Sequence, residues 1–324
     1  MLQPGSGTSA PSPLLRSGEQ PVRARTVISI QGLTMSYGDA QVLHGIDLAI
    51  NQGEVCAVVG PNGAGKTTLV EILEGYRTRS GGEVSVLDVD PGRPTRGWRA
   101  RIGIVLQSCA VPADLTVSEL VERFAGYYPA PRPVAETIEL VGLSDRAGAR
   151  AGTLSGGQQR RLDVAMALVG DPDILFLDEP TTGFDPSARH QAWSVIARLR
   201  EIGKTILLTT HYMEEAQALA DRVVVVVGGH IVAEGTPDTL GGRDQAATVV
   251  RFRLPAGSVV EQLPEFNAGH VRLDRDHVEL ADADQADLAL LLDWARQHRL
   301  QLADLTVARP SLEDVYLQLT GGVR

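Results

Sequence analysis

The run Gly60-Pro61-Asn62-Gly63-Ala64-Gly65-Lys66-Thr67-Thr68 sets a glycine, four residues and then Gly-Lys-Thr in one short stretch. Residues of these types at this spacing suit a polyphosphate. Glycines carry no Cβ, so backbone N–H groups can turn inward toward an anion. A helix starting at the end of the run adds roughly half a positive charge at its N-terminus. Lys66 can then reach the β and γ phosphates, and the Thr67 hydroxyl can ligate Mg2+. The chain has 28 arginines and only two lysines, Lys66 and Lys204. One of the two stands where a flexible ammonium, not a planar guanidinium fork, is wanted.

Two further segments carry groups that could act on such a ligand. Ile174-Leu175-Phe176-Leu177-Asp178-Glu179-Pro180 is an apolar strand ending in two carboxylates. Asp178 is placed to hold Mg2+ through water, and Glu179 to polarise an attacking water. By itself the segment reads equally as a strand followed by an acidic turn. Leu154-Ser155-Gly156-Gly157-Gln158-Gln159-Arg160-Arg161 opens a helix that runs through Val164, Ala165 and Leu168. A serine and two glycines at a helix start form an anion site of backbone N–H groups, or simply a well-capped helix.

Alternating patterns show which elements position these groups. Val55-Cys56-Ala57-Val58-Val59 is a strand leading into the phosphate loop, and Leu69-Val70-Glu71-Ile72-Leu73 a helix leaving it. Val27–Ile30 and Ile46–Ile50 alternate with period two, which predicts two half-buried strands upstream. Ile102–Leu106, Ile174–Leu177, Thr205–Leu208 and the five valines Val223–Val227 are further strands, with helical patterns between most of them. That alternation predicts a parallel sheet covered on both faces. From about 108 to 170 the pattern is helical, and Thr116 with Glu119 resembles a capping box. Gly241-Gly242-Arg243-Asp244 reads as a linker, and residues 246–324 as a small α+β domain. Its last helix starts at Pro310-Ser311 and sets Leu312, Val315, Tyr316 and Leu319 on one face.

Composition excludes several classes. The chain has 324 residues, 43% hydrophobic, with a net charge of -10. That charge argues against a sequence-independent nucleic-acid binder, which needs clustered positive charge. No segment reaches the 18 or so consecutive apolar residues of a membrane span. Cys56 and Cys109 are the only cysteines. Two cannot form a CxxC metal framework, and Cys56 in an apolar strand reads as a buried thiol in a reducing setting. Residues 1–25 are rich in Pro, Gly and Ser and read as a disordered tail.

Leu154–Gln158 matches the signature of the ATP-binding cassette (ABC) ATPases, and the other motifs fall in that family's order over about residues 27–240. The resemblance implies a P-loop NTPase of the ABC ATPase fold: a mixed-sheet core over 26–240, a helical subdomain at 108–170 and the C-terminal domain beyond. It implies binding of ATP and Mg2+ and supplies further roles. Tyr37 resembles the aromatic that stacks on adenine. Gln107 resembles the glutamine that touches Mg2+ and the attacking water and senses the membrane partner. His211 resembles the switch histidine that contacts the γ-phosphate. Gly183-Phe184-Asp185-Pro186 resembles the segment coupling the two sites of a dimer; Leu is common in the family where Phe184 stands. The nucleotide then lies between two copies, with Gly60–Thr68 of one facing Ser155, Gly156, Gly157 and Gln158 of the other.

Arg309–Gly321 resembles the tail of the daunorubicin-resistance type of export ATPase, where it supports dimer and assembly. The expectation is therefore an ATPase subunit at the cytoplasmic face of the cell membrane, paired with a separate transmembrane permease subunit and with a second copy of itself. It would export a drug or lipophilic compound. An importer ATPase and a soluble cassette protein are the alternatives. Lys66 and Ser155 stand 89 positions apart with no heptad run between, unlike the coiled-coil chromosome ATPases.

Overall fold

Val55–Val59 is apolar at every position because both faces of its strand are covered. Val55, Ala57 and Val59 enter one core cluster, Cys56 and Val58 the other. The computed structural model describes residues 25–106, 111–245, 248–254, 263–267 and 270–321. All but the last residue of the expected tail, together with Gln107 and Cys109, lies outside the described residues.

In chain order the cassette is β1 (Thr26–Tyr37), β2 (Ala40–Asn51), β3 (Val55–Val59), α1 (Lys66–Leu73), β4 (Gly81–Val86), α2 (Arg96–Arg99) and β5 (Ile102–Val105). Then come α3 (Val117–Ala125), α4 (Val134–Leu140), α5 (Gly156–Leu168), β6 (Ile174–Asp178), α6 (Pro186–Glu201), β7 (Thr205–Thr210), α7 (Met213–Leu219), β8 (Arg222–Val227) and β9 (His230–Gly235). The central sheet has the order β5-β6-β7-β3-β8-β9. Its first five strands are parallel and β9 is antiparallel to β8. A second, antiparallel sheet of order β2-β1-β4 packs its apolar face, including Ile28, Ile30 and Leu48, with α1 over the central sheet. The two half-buried strands predicted upstream are longer than their alternating cores. β1 and β2 continue to a hairpin turn at Gly38-Asp39, and β4 joins them although its opening Gly81-Gly82 hides the strand pattern.

On the other face lie α3, α4 and α5 of the helical subdomain with α6 and α7. The Thr116 capping box is present: its hydroxyl accepts from Glu119 N, and the Glu119 carboxylate accepts from Thr116 N at 2.8 Å. Such a cap is worth about 1 kcal/mol.

Beyond the cassette, β10 (Thr248–Arg253), β11 (His270–Asp274), β12 (His277–Ala283) and β13 (Ala303–Ala308) form an antiparallel sheet of order β11-β12-β10-β13. It shares a core of its own, including Val250, Phe252 and Leu280, with Leu291 and Trp294 of α8 (Gln285–Gln297). The last helix, α9 (Leu312–Gly321), leaves that core and packs Leu312, Tyr316 and Leu319 against the cassette. The segment read as a linker is a docking turn. Leu240 is buried in the cassette core, and Gly241 has φ 62, with a Cβ there falling 2.6 Å from Val315 Cγ1. Only glycine lets α9 approach that closely.

Candidate functional site

The phosphate loop leaves β3 and enters α1 at Lys66. Gly65, the N-cap, sits at φ 100, and a Cβ on it would meet Leu43 Cδ2 at 2.7 Å. No side chain caps α1, whereas Thr116, Ser155 and Asp185 each cap the helix that follows them. The first N–H groups of a helix have no intrahelical acceptor. In α1, as in α4 and α7, no side chain takes them. Pro61, Asn62, Gly63 and Thr67 are exposed, Thr68 half-buried and Ala64 buried. Lys66 is buried, and its ammonium donates to Gly60 O at 2.8 Å and Pro61 O at 3.2 Å. Burial pushes that ammonium below its ordinary pKa, while Glu179 and Asp178 pull it back up. Those carboxylates thus face the lysine from the end of β6.

Tyr37 ends β1 with an exposed ring, its hydroxyl 3.3 Å from Thr68 Oγ1. The Arg77 guanidinium lies 4.9 Å from the ring centroid. A flat aromatic beside the phosphate loop is placed to receive a base.

The parallel pairing of β6 with β7 aligns Asp178 with Thr209. The buried Thr209 hydroxyl donates to Asp178 Oδ1 and accepts from Glu179 N at 3.0 Å. Glu179 N also donates to Thr209 O at 3.2 Å. Glu179 has φ 45, a left-handed conformation that costs on the order of 1–3 kcal/mol in a residue with a side chain. These hydrogen bonds hold it there, and Thr182 Oγ1 donates to Glu179 Oε2 at 3.0 Å. His211 follows β7, with Nδ1 3.4 Å from Glu179 Oε1. Among the described residues that buried nitrogen has no hydrogen-bond partner. The imidazole rests against the Tyr212 ring at 4.1 Å, and the Arg189 guanidinium covers that ring at 4.1 Å.

Sequence reading missed Thr209 and Thr182. Thr209-Thr210 at the end of an apolar strand was the available signal, since a buried hydroxyl there needs a polar partner.

Thr67 and Asp178 offer only oxygen donors, and the described residues contain no cluster of three or more His, Cys, Asp or Glu. That fits Mg2+, which takes one or two protein oxygens and completes its shell with phosphate and water.

Ser155, Gly156, Gly157 and Gln158 lie at the start of α5. Ser155 Oγ accepts from Gln158 N at 3.3 Å, and Gln158 Oε1 accepts from Ser155 N at 3.0 Å. Gly157 abuts Ala188, so the start of α5 touches that of α6, where Asp185 Oδ1 accepts from Ala188 N at 2.9 Å. A Cβ on Gly156 would meet nothing within 4 Å. Nothing among the described residues requires a glycine there. Among the described residues, no hydrogen bond joins this surface to the phosphate loop.

A cavity of about 700 Å³ lies away from the nucleotide site. It is a cleft between β5, α3 and α5, lined by Ile104, Leu106, Phe124 and Tyr128 with Glu74 and Asp163. Burial, then Asp178 and Glu71, pushes Glu74 from 4.5 up to about 8. Burial pushes Asp163 up to about 6 against the pull of Arg160.

Residues 43–182 match the family described as ABC transporter, and residues 248–311 match the C-terminal domain of ABC transporter domain-containing proteins. The second match stops just before α9. The chain is 38% identical to Nod factor export ATP-binding protein I of Rhizobium meliloti, over 91% of this chain and 88% of that one. It is 37% identical to daunorubicin resistance ATP-binding protein DrrA3 of Streptomyces coeruleorubidus, over 93% of this chain and 98% of that one. Similar solved structures include a dimeric post-hydrolysis ATP-binding cassette bound to ADP and Pi (TM-score 0.57, 25% identity, 64% of this chain and 98% of that one). Another is a component of the cbiONQ ABC transporter complex of Clostridium perfringens (TM-score 0.60, 28% identity, 66% of this chain and 90% of that one).

Proposed function

This chain belongs to the ABC transporter family of ATPases, and from that premise we propose that it powers export of a drug or lipophilic compound through a separate transmembrane subunit. Among the described residues no helix is long and apolar enough to cross a membrane. The relatives named for export support the direction of transport, and nothing observed favours an importer or a soluble cassette protein.

One observation carries the working mechanism. The chain presents the uncapped start of α1 and, at the capped start of α5, exposed Ser155 and Gly156, and among the described residues no hydrogen bond joins the two. Two copies related by a two-fold axis bring each surface opposite the other and clamp one nucleotide at each seam. Gly156 is then required by a phosphate from the partner copy. Tyr37 stacks the base, Lys66 and the α1 N–H groups bind the β and γ phosphates, and Thr67, Asp178 and Gln107 would hold Mg2+. The metal, when bound, neutralises charge on the phosphate oxygens. Glu179 accepts a proton from the attacking water, and His211 beside it contacts the γ-phosphate. Loss of that phosphate removes what both halves hold, so the clamp opens.

The transmembrane partner is assigned to the helical subdomain, whose cleft with β5 offers apolar walls at Ile104, Leu106 and Phe124. Inside-out vesicles holding this chain and that partner should accumulate daunorubicin when ATP is supplied. ATP-driven depletion of drug from the vesicle lumen would contradict the export direction.

A further inference from the structure

Arg160 and Arg161 are neighbours on α5, yet their side chains serve different parts of the molecule. Arg161 donates from NH1 to Gly142 O at 2.7 Å and to Val141 O at 3.5 Å, the carbonyls that follow α4. It ties the helical subdomain to itself. Arg160 is only 7% exposed and points the other way. Its Nε donates to Pro180 O at 3.1 Å, one NH2 hydrogen to Asp178 O at 2.9 Å, and NH1 to Leu106 O. Asp163, one turn on, sits 3.9 Å from the same guanidinium.

Those three carbonyls lie at the functional ends of adjacent strands. Asp178 ends β6, and Pro180 follows Glu179. Leu106 follows β5 and directly precedes Gln107. A guanidinium carries five donors in a rigid plane and can hold several carbonyls at once; an ammonium carries one compact charge. Hydrogen bonds from an ionised donor are roughly twice as strong as neutral ones. The same helix starts at Ser155, about one turn before Arg160. Arg160 is therefore the link between the surface at one end of α5 and the backbone around Asp178, Glu179 and Leu106.

We propose that Arg160 is a positioning residue for hydrolysis, fixing the strand ends that carry the catalytic carboxylates and relaying occupancy of the Ser155 surface to them. The relay rests on the two-copy clamp proposed above; the positioning role stands within one chain.

The test is steady-state ATP hydrolysis by the purified full-length chain, with Arg160→Gln, Arg160→Lys and the control Arg161→Gln, alongside thermal melting. Each tenfold loss in kcat corresponds to about 1.4 kcal/mol of misplaced transition-state stabilisation. Both Arg160 variants should lose at least about tenfold in kcat while KM for ATP stays within about threefold, because the phosphate loop is untouched. Arg161→Gln should melt lower and keep kcat within about twofold. Arg160→Lys retains charge and stem, so it decides the matter if Arg160→Gln does not fold. The proposal is overturned if the Arg160 variants hydrolyse within about twofold of the native rate, or if Arg161→Gln loses kcat to the same extent. ATP-dependent dimerisation, measured in a Glu179→Gln background, separates the two ideas. Absence of a dimer there removes the clamp and the relay, while the kcat comparison still decides the positioning role.

Discussion

Thr209→Val isolates one hydroxyl at the centre of the site. That hydroxyl donates to Asp178 Oδ1 and accepts from Glu179 N at 3.0 Å. Valine is also β-branched and fills nearly the same space, so β7 keeps its buried packing. Glu179 N keeps a second acceptor, Thr209 O at 3.2 Å, which confines most of the loss to Asp178. A hydrogen bond to a charged group is worth about 1.5–3 kcal/mol. If that orientation is felt fully in the transition state, kcat falls by roughly 10- to 150-fold, since each 1.36 kcal/mol is a factor of ten. KM for ATP should change little, because Lys66 and the start of α1 are untouched. Phosphate release under saturating magnesium and ATP measures kcat directly. A variant within about twofold of the native kcat, or one whose loss lies entirely in KM, would refute the role given to this hydroxyl.

Two further perturbations test other parts of the structure. Glu74 is held up near 8 from an ordinary 4.5, so the unfolded chain ionises first and stability falls as pH rises through that window. Glu74→Gln removes that penalty: the variant should melt higher than the native protein above about pH 8 and converge with it toward pH 4.5, and parallel curves would contradict the burial argument. Arg243 donates to Pro310 O at 2.6 Å, Gln217 Oε1 at 2.7 Å and Pro237 O at 2.8 Å, tying the entry of α9 to α7 and to the chain after β9. Arg243→Ala should cost on the order of 2 kcal/mol locally and speed amide exchange over α9 by roughly 30-fold. Unchanged exchange there would show that Arg243 does not hold α9.

The phosphate loop and the strand ending at Asp178 were legible because their chemistry is local in sequence. A glycine-rich turn between an apolar strand and a helix, and two acids after an apolar strand, each state their role within ten residues. The fully buried strands were legible for the same reason, as with Val223–Val227 between two covered faces. What the sequence hid is long-range. β9 shows the exposure of an edge strand, half-buried at alternate positions, and its short stretch carries no strong apolar signal. Thr209 gains its meaning only when β7 aligns beside β6. Arg160 reads as one more charge after a helix start until α5 is laid across the ends of β5 and β6. Gly241 looks like linker chemistry, yet its neighbour is Val315, more than seventy positions on. The apolar stripe of α9 is plain in sequence; that it covers the cassette and not the C-terminal sheet is decided by packing.

The central claim is that one nucleotide is held between the phosphate loop of one copy and the Ser155 surface of another. Paired cysteines at Asn62 and Ser155, both exposed, report on that seam. They are placed in a Glu179→Gln, Cys109→Ser background, which stops turnover and removes a competing thiol. Cys56 is buried and its thiol is pushed up to about 12, so it stays inert. With magnesium and ATP the chains should crosslink as covalent dimers, and without nucleotide or with ADP they should not. Crosslinks that never form between chains, or that form equally without ATP, would contradict the account.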